Sequence, residues 1–278
     1  LAPMAREANP ELMKFPFGKK MIELLGEGKM DLAYSEWLAA LADGGDPLDD
    51  ENLRRSAWQY MTRTADQYND PGQFTALIGY EWSASPGGNN MHRNVIFRDD
   101  KEKASRMLPY SNFDSVNPED LWDWMKTYEE KTGGRVLAIP HNGNLSNGLM
   151  FDDVTFKKEK LDRTYAERRM RWEPIYEVTQ MKGDSEAHPM LSPNDEFADY
   201  GTWDKGSFGM AKEDGMIERE YAREAYKRGL VYEEKLGVNP FKFGMVGSTD
   251  SHTGLATTRE DNVFGKVSKF EPYLNGVF

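Results

Sequence analysis

The chain predicts an α/β fold, a mostly parallel sheet or barrel, from the order of its elements and from what stands at their ends. Apolar strand-like runs and helical stretches follow the order helix, strand, strand, helix, strand, helix, strand, loop, helix, strand. The strand-like runs, such as Val136-Leu137-Ala138-Ile139, are apolar enough to be buried. Three of them end in a residue able to bind a metal: Glu81, His141 and the Asp250/His252 pair. In α/β barrels functional groups project from strand C-termini, so ligands far apart in sequence converge on one rim.

Each element has its own signal. From Lys19 to Asp43, apolar residues recur at helical spacing around Gly26 and Gly28, which predicts two short helices. Asp49 and Asp50 precede a longer amphipathic helix with Leu53, Ala57, Tyr60, Met61 and Ala65 on one face, ended by Asp70-Pro71-Gly72. Phe74 to Trp82 reads as a buried strand ending in an acid, and a Gly/Asn-rich turn leads into a second strand, Met91 to Phe97. Asn117-Pro118-Glu119-Asp120 opens a helix with Leu121, Trp124, Met125 and Tyr128 on its apolar face, and Gly133-Gly134 closes it. Strands follow at Arg135–Asn142, Pro174–Gln180 and Lys242–Ser248. A polar loop from Met181 to Lys212 and a helix from Glu213 to Leu236 separate the last two. With no repeat or linker, residues 1–278 read as one domain.

The bulk composition excludes several classes. At 278 residues and 38% hydrophobic content the chain can bury a sizeable core. A net charge of −12 repels phosphate backbones and anionic membranes, so no nucleic acid is expected as a partner, although a small phosphorylated or other ester substrate remains compatible with a locally positive site. No apolar run reaches the roughly 18 residues a membrane span requires. Zero cysteines exclude disulfides and thiolate metal sites without fixing a compartment. The opening Leu1-Ala2-Pro3-Met4-Ala5-Arg6 has neither the basic start nor the apolar core of a secretory signal, and the chain reads as a piece of something longer.

The chemistry is carried by few residues, since the chain has four histidines. Glu81, His92, His141, Asp250 and His252 form the candidate ligand set for divalent zinc, manganese or iron, which take mixed imidazole and carboxylate donors. Each also has a plainer reading. Glu81 suits a strand-end salt bridge, His92 a solvated turn, and Asp250 a turn cap with Ser248 and Thr249. His141 follows a buried Ile139-Pro140, where a polar tip needs a partner. His188 stands beside no strand and reads as a loop residue at the rim. Arg93 is the candidate substrate-binding cation; Lys182 is a weaker one, since a solvated surface charge is the better reading of it. Glu177 is a candidate to orient a ligand imidazole, or an ordinary strand carboxylate.

Taken in order, Gly79-Tyr80-Glu81-Trp82, His92-Arg93-Asn94, Ile139-Pro140-His141-Asn142 and Gly247-Ser248-Thr249-Asp250-Ser251-His252-Thr253-Gly254 resemble the polymerase and histidinol phosphatase (PHP) superfamily. The likeness is greater to a bacterial family of unknown function, related to it, that carries a Gly-Ser-Thr-Asp-x-His-Thr-Gly signature. The resemblance runs from Phe74 to Gly254 and implies a distorted (β/α)7 barrel with up to three metal ions that hydrolyses phosphoesters with a metal-bound hydroxide. It implies Glu81 as bridging carboxylate, His92 and His141 as imidazoles completing one metal position, Asp250 as ligand of a second metal and His252 of a third. The superfamily pattern begins with a His-x-His on the first strand, and no histidine precedes Glu81 here. The expectation is therefore a barrel incomplete at its N-terminus, a fragment rather than a degenerate member. The leading functional expectation is a metal-dependent phosphoesterase. An amidohydrolase-type carbon-nitrogen hydrolase and a binding module with a vestigial metal site are the alternatives.

Overall fold

The structure, a computed structural model, describes residues 10–42, 46–205 and 212–252. Where the sequence reads as one domain, the structure groups it into two compact units: Leu1–Ile78 with Asp99–Pro109, and Gly79–Arg98 with Tyr110–Phe278.

The first unit is helical. The paired short helices expected before Asp43 are α1 (Pro16–Gly26) and α2 (Met30–Ala42), and the longer helix is α3 (Glu51–Tyr68). Asp50 caps α3 by accepting from the Leu53 N–H, which satisfies a donor the first turn cannot pair internally. Leu12, Leu48 and Leu53 form the centre of its core, with Phe15, Phe17 and Trp37 packed against them. The buried side of α3 is Leu53, Trp58 and Thr62, while Met61, expected on the apolar face, is exposed. Trp58 carries the larger apolar surface and also donates its indole N–H to the Ala104 carbonyl, in the short α4 (Lys101–Ala104), so the helix rotates to bury it.

The second unit holds most of the strands. β1 (Ile78–Trp82), β2 (Arg93–Phe97) and β3 (Val136–Pro140) form one sheet in that order; β5 (Gly183–Asp184), β4 (Ile175–Gln180) and β6 (Gly244–Gly247) form another. The helices are α5 (Pro118–Thr132), α6 (Arg163–Trp172) and α7 (Ala222–Leu236). In α5 the Asn117 side chain accepts from the Glu119 N–H, and Gly133 ends the helix at φ 65°, a left-handed conformation that favours glycine. Leu121, Trp122, Met125 and Tyr128 are buried on its inner face, each contributing about 1.5–3 kcal/mol of burial. A second cluster joins Met150, Phe151, Tyr176, Val178, Phe241 and Phe243 beneath α7.

The α/β class holds, but the strand directions are mixed. β2 pairs antiparallel with β3, with Arg93 opposite Pro140, and β5 pairs antiparallel with β4. β4 and β6 form a parallel pair. β2 departs from expectation because the Gly/Asn-rich turn before it contains only a single 3-10 turn, Pro86–Gly88, and no crossover helix. An isolated parallel bridge between His141 and Glu177 links β3 to β4. The described strands form no closed barrel. No helix among the described residues is long and apolar enough to cross a membrane.

Candidate metal centre

The site is assembled at strand ends. Glu81 is the penultimate residue of β1. The turn that follows is pinned by backbone bonds from Asn90 N–H to the Leu145 carbonyl and from Met91 N–H to the Ala84 carbonyl, and the Asn90 side chain accepts from His92 N–H. Because β2 runs antiparallel to β3, the residue before Arg93 lies beside the residue after Pro140: the His141 N–H donates to the His92 carbonyl at 3.3 Å. The parallel bridge then sets His141 beside Glu177. Strand pairing thus gathers His92, His141 and Glu177, and Glu81 meets them from the neighbouring β1.

Both imidazoles aim at one carboxylate oxygen. Glu81 Oε1 accepts from His92 Nδ1 at 2.9 Å and from His141 Nε2 at 3.0 Å, and the two rings stand edge to face, 5.7 Å apart. His92 Nε2 lies 3.1 Å from Ser85 Oγ. His252 Nε2 approaches the other Glu81 oxygen, Oε2, to 3.9 Å, with its Nδ1 donating to the Asp250 carbonyl at 2.8 Å. Lys182 Nζ sits 2.7 Å from Asp250 Oδ2.

The charge states suit a metal. Burial works against the Glu81 carboxylate, yet the hydrogen bonds from His141 and His92 outweigh it and hold the group well below the usual carboxylate range. Burial pushes the His92 imidazolium down, more than the adjacent Glu81 raises it, which favours the neutral ring a metal requires. Burial also pushes the Glu177 carboxyl up; His141 opposes this and Asp250 reinforces it.

The residues fit a divalent cation on two grounds. Glu81, His92 and His141 each offer a ligand atom, and these atoms lie within 4.8 Å of one another. Two imidazole nitrogens and a carboxylate oxygen are a donor set for zinc, manganese or iron(II). In addition, His141 Nδ1 and Glu177 Oε1 are buried with no hydrogen-bond partner, polar atoms a purely structural cluster would have satisfied.

The other expected residues divide. Asp250 and His252, expected as ligands of further metals, and Glu177 border the cluster without joining its ligand group among the described residues, and Asp250 is engaged by Lys182. Arg93, expected to meet an anionic substrate, is buried elsewhere: its Nε donates to Glu173 Oε1 at 3.1 Å and its Nη1 to the Met91 carbonyl at 2.6 Å. Side chains alternate along an extended chain, so Arg93 projects to the face opposite His92. Trp122 and Arg169 converge on the same Glu173, which makes Arg93 part of a packed ionic network. His188 is buried beside Asp204 and Tyr221, apart from the cluster.

One participant escapes a reading of the sequence. Ser85, in the Gly/Asn-rich turn, carries no signal that marks it as the partner of His92. Lys182, the weaker candidate cation, is not simply a solvated charge: its Nζ meets Asp250 and its backbone is bonded to Gln180 and Asn144.

Comparison with known proteins yields no matching curated protein and no matching solved structure. One family model matches residues 2–276, nearly the whole chain, and the chain belongs to that family, described as a protein of unknown function (DUF3604).

Proposed function

We propose that this chain carries the centre of a metal-dependent hydrolase acting on phosphoesters, in which Glu81, His92 and His141 hold a divalent ion of the zinc, manganese or iron type. The observation that carries the reading is the convergence of two imidazole nitrogens on one carboxylate oxygen, from residues in or beside three strands of one sheet. The ordered strand-end residues and the His141–Glu177 bridge support a kinship with the PHP superfamily and its (β/α)7 barrel.

When bound, the ion supplies Lewis acidity toward the ester and its attacking water. The chain supplies the rest. Glu81 stays ionised and fixes both imidazoles, and Ser85 orients the His92 ring from behind. Lys182, 26% exposed at its side chain, presents positive charge to a substrate anion, the part first assigned to Arg93. Glu177, whose carboxyl burial pushes up, stands beside His141 and is the chain's candidate to exchange a proton with the reacting oxygen.

Hydrolysis of p-nitrophenyl phosphate by the complete protein, with manganese or zinc added, tests the reading. His141→Ala is expected to abolish the metal-stimulated rate while circular dichroism stays unchanged; unaltered turnover in the folded variant refutes it.

A further inference from the structure

The imidazole cluster accounts for one cation, whereas three carboxylates, Glu81, Glu177 and Asp250, border it. The nearest fixed positive charge to Asp250 is Lys182, whose position is built rather than incidental. Its N–H donates to Gln180 Oε1 at 2.8 Å, and its carbonyl accepts from Asn144 Nδ2 at 3.0 Å. Gln180 and Asn144 are themselves buried and held, the first donating to Asn142 Oδ1 and the second accepting from Ser185 Oγ, both at 2.8 Å. These two bonds fix where the lysine leaves the chain, and the ion pair with Asp250 fixes where its ammonium ends. Its ammonium lies 2.7 Å from Asp250 Oδ2, and Asp250 is 8% exposed at its side chain. The Lys182 charge also acts on Glu177 and on His92.

We propose that Lys182 is the fixed second cation of this centre: its ammonium occupies the Asp250 carboxylate, so the site takes one divalent ion where Asp250 would otherwise help to hold another. The chemistry is direct. An ammonium donates hydrogen bonds to the oxygen a second ion needs, and its charge repels a divalent cation at short range. Asp250 is held for this contact at φ 54°, the left-handed region that aspartate tolerates at a turn. The inference rests on the metal reading of Glu81, His92 and His141.

The test counts ions without needing turnover. The full chain, stripped with chelator, is titrated calorimetrically with manganese(II) alone, and bound metal is measured by elemental analysis after dialysis. Wild type is expected to hold one ion per chain and Lys182→Arg one. Lys182→Ala and Lys182→Gln are expected to hold two, the second at least tenfold tighter than any second site in wild type. Adding Asp250→Asn to Lys182→Ala is expected to return the count to one, which a merely structural lysine would not produce. Two ions on wild type, or one on both neutral variants, overturns the proposal and leaves the hydrolase reading standing. No ion on wild type overturns the metal reading and this inference with it.

Discussion

Glu81→Gln removes the one charged donor of the centre while keeping its shape, because a glutamine oxygen can still accept from His92 and His141. Four-ligand structural zinc sites bind with about 10–16 kcal/mol, so one ligand carries about 2.5–4 kcal/mol. At about 1.4 kcal/mol per decade, the variant is expected to bind its ion about 100-fold more weakly or worse. With the ion at about 100 times the wild-type Kd, binding stabilises wild type by about 2.7 kcal/mol, whereas a variant at its own Kd gains only about 0.4 kcal/mol. Chains of this size shift about 2–4 °C per kcal/mol, so wild type is expected to gain about 5–11 °C and the variant about 1 °C. Differential scanning fluorimetry of the chelator-treated proteins, with and without manganese, reads both numbers. Equal ion-induced shifts would mean that Glu81 ligates nothing.

Acid should weaken the metal-free protein in two stages. Both His92 and Glu81 have depressed pKa values in the fold, so the unfolded chain binds protons more readily; each group's contribution is present above its unfolded pKa, 6.5 and 4.5 respectively, and lost as pH falls below it. A Tm that stays flat from about pH 7 to pH 5, or a decline that His92→Asn leaves untouched, contradicts this for His92. Lys212 and Glu220 form a buried pair, 8% and 0% exposed at their side chains, with Lys212 also donating to the Asn144 carbonyl. Lys212→Met strands Glu220 and is expected to cost about 3–5 kcal/mol in urea unfolding at neutral pH. Burial already raises the Glu220 pKa, so the deficit should shrink in acid, and a pH-independent loss would speak against it. Gly143→Ala should destabilise by about 1–3 kcal/mol and loosen the loop behind His141, because an added Cβ would lie 2.3 Å from Tyr176 Oη and 2.4 Å from the Glu220 carbonyl. An alanine variant with unchanged urea midpoint would show that the loop can shift freely.

Local signals were legible where local chemistry decides structure. Asp50 and Asn117 mark helix starts and Gly133 a helix end because capping is settled within a few residues. The start of α7 was less legible: the expected helix from Glu213 begins only at Ala222, since Gly215 at φ 80° and an extended Tyr221 interrupt it. Strand existence could be read, but strand direction depends on which neighbour a strand finds, and β2 turned against β3. That reversal is what sets His92 beside His141. Arg93 and Lys182 depart from expectation for a related reason. Their sequence neighbours show a strand start and a turn, while the groups that engage them, Glu173 and Asp250, come from other elements. The segment Thr253-Gly254, which closes the last signature, lies outside the described residues.

The hydroxyl behind His92 bears on how an ion enters. An ionised carboxylate only accepts, so the His92 proton sits on Nδ1 toward Glu81, and Nε2 accepts from Ser85. For Nδ1 to offer its lone pair, the proton must move to Nε2, and a serine hydroxyl can rotate from donor to acceptor to receive it. His92 can therefore change tautomer without leaving either ring nitrogen unpaired. His141 has no such counterpart, since moving its proton from Nε2 puts it on a buried Nδ1 with nothing to accept it. The His92 ring can therefore present a lone pair toward Glu81 with both nitrogens still paired, whereas the His141 ring can do so only by burying an unpaired N–H.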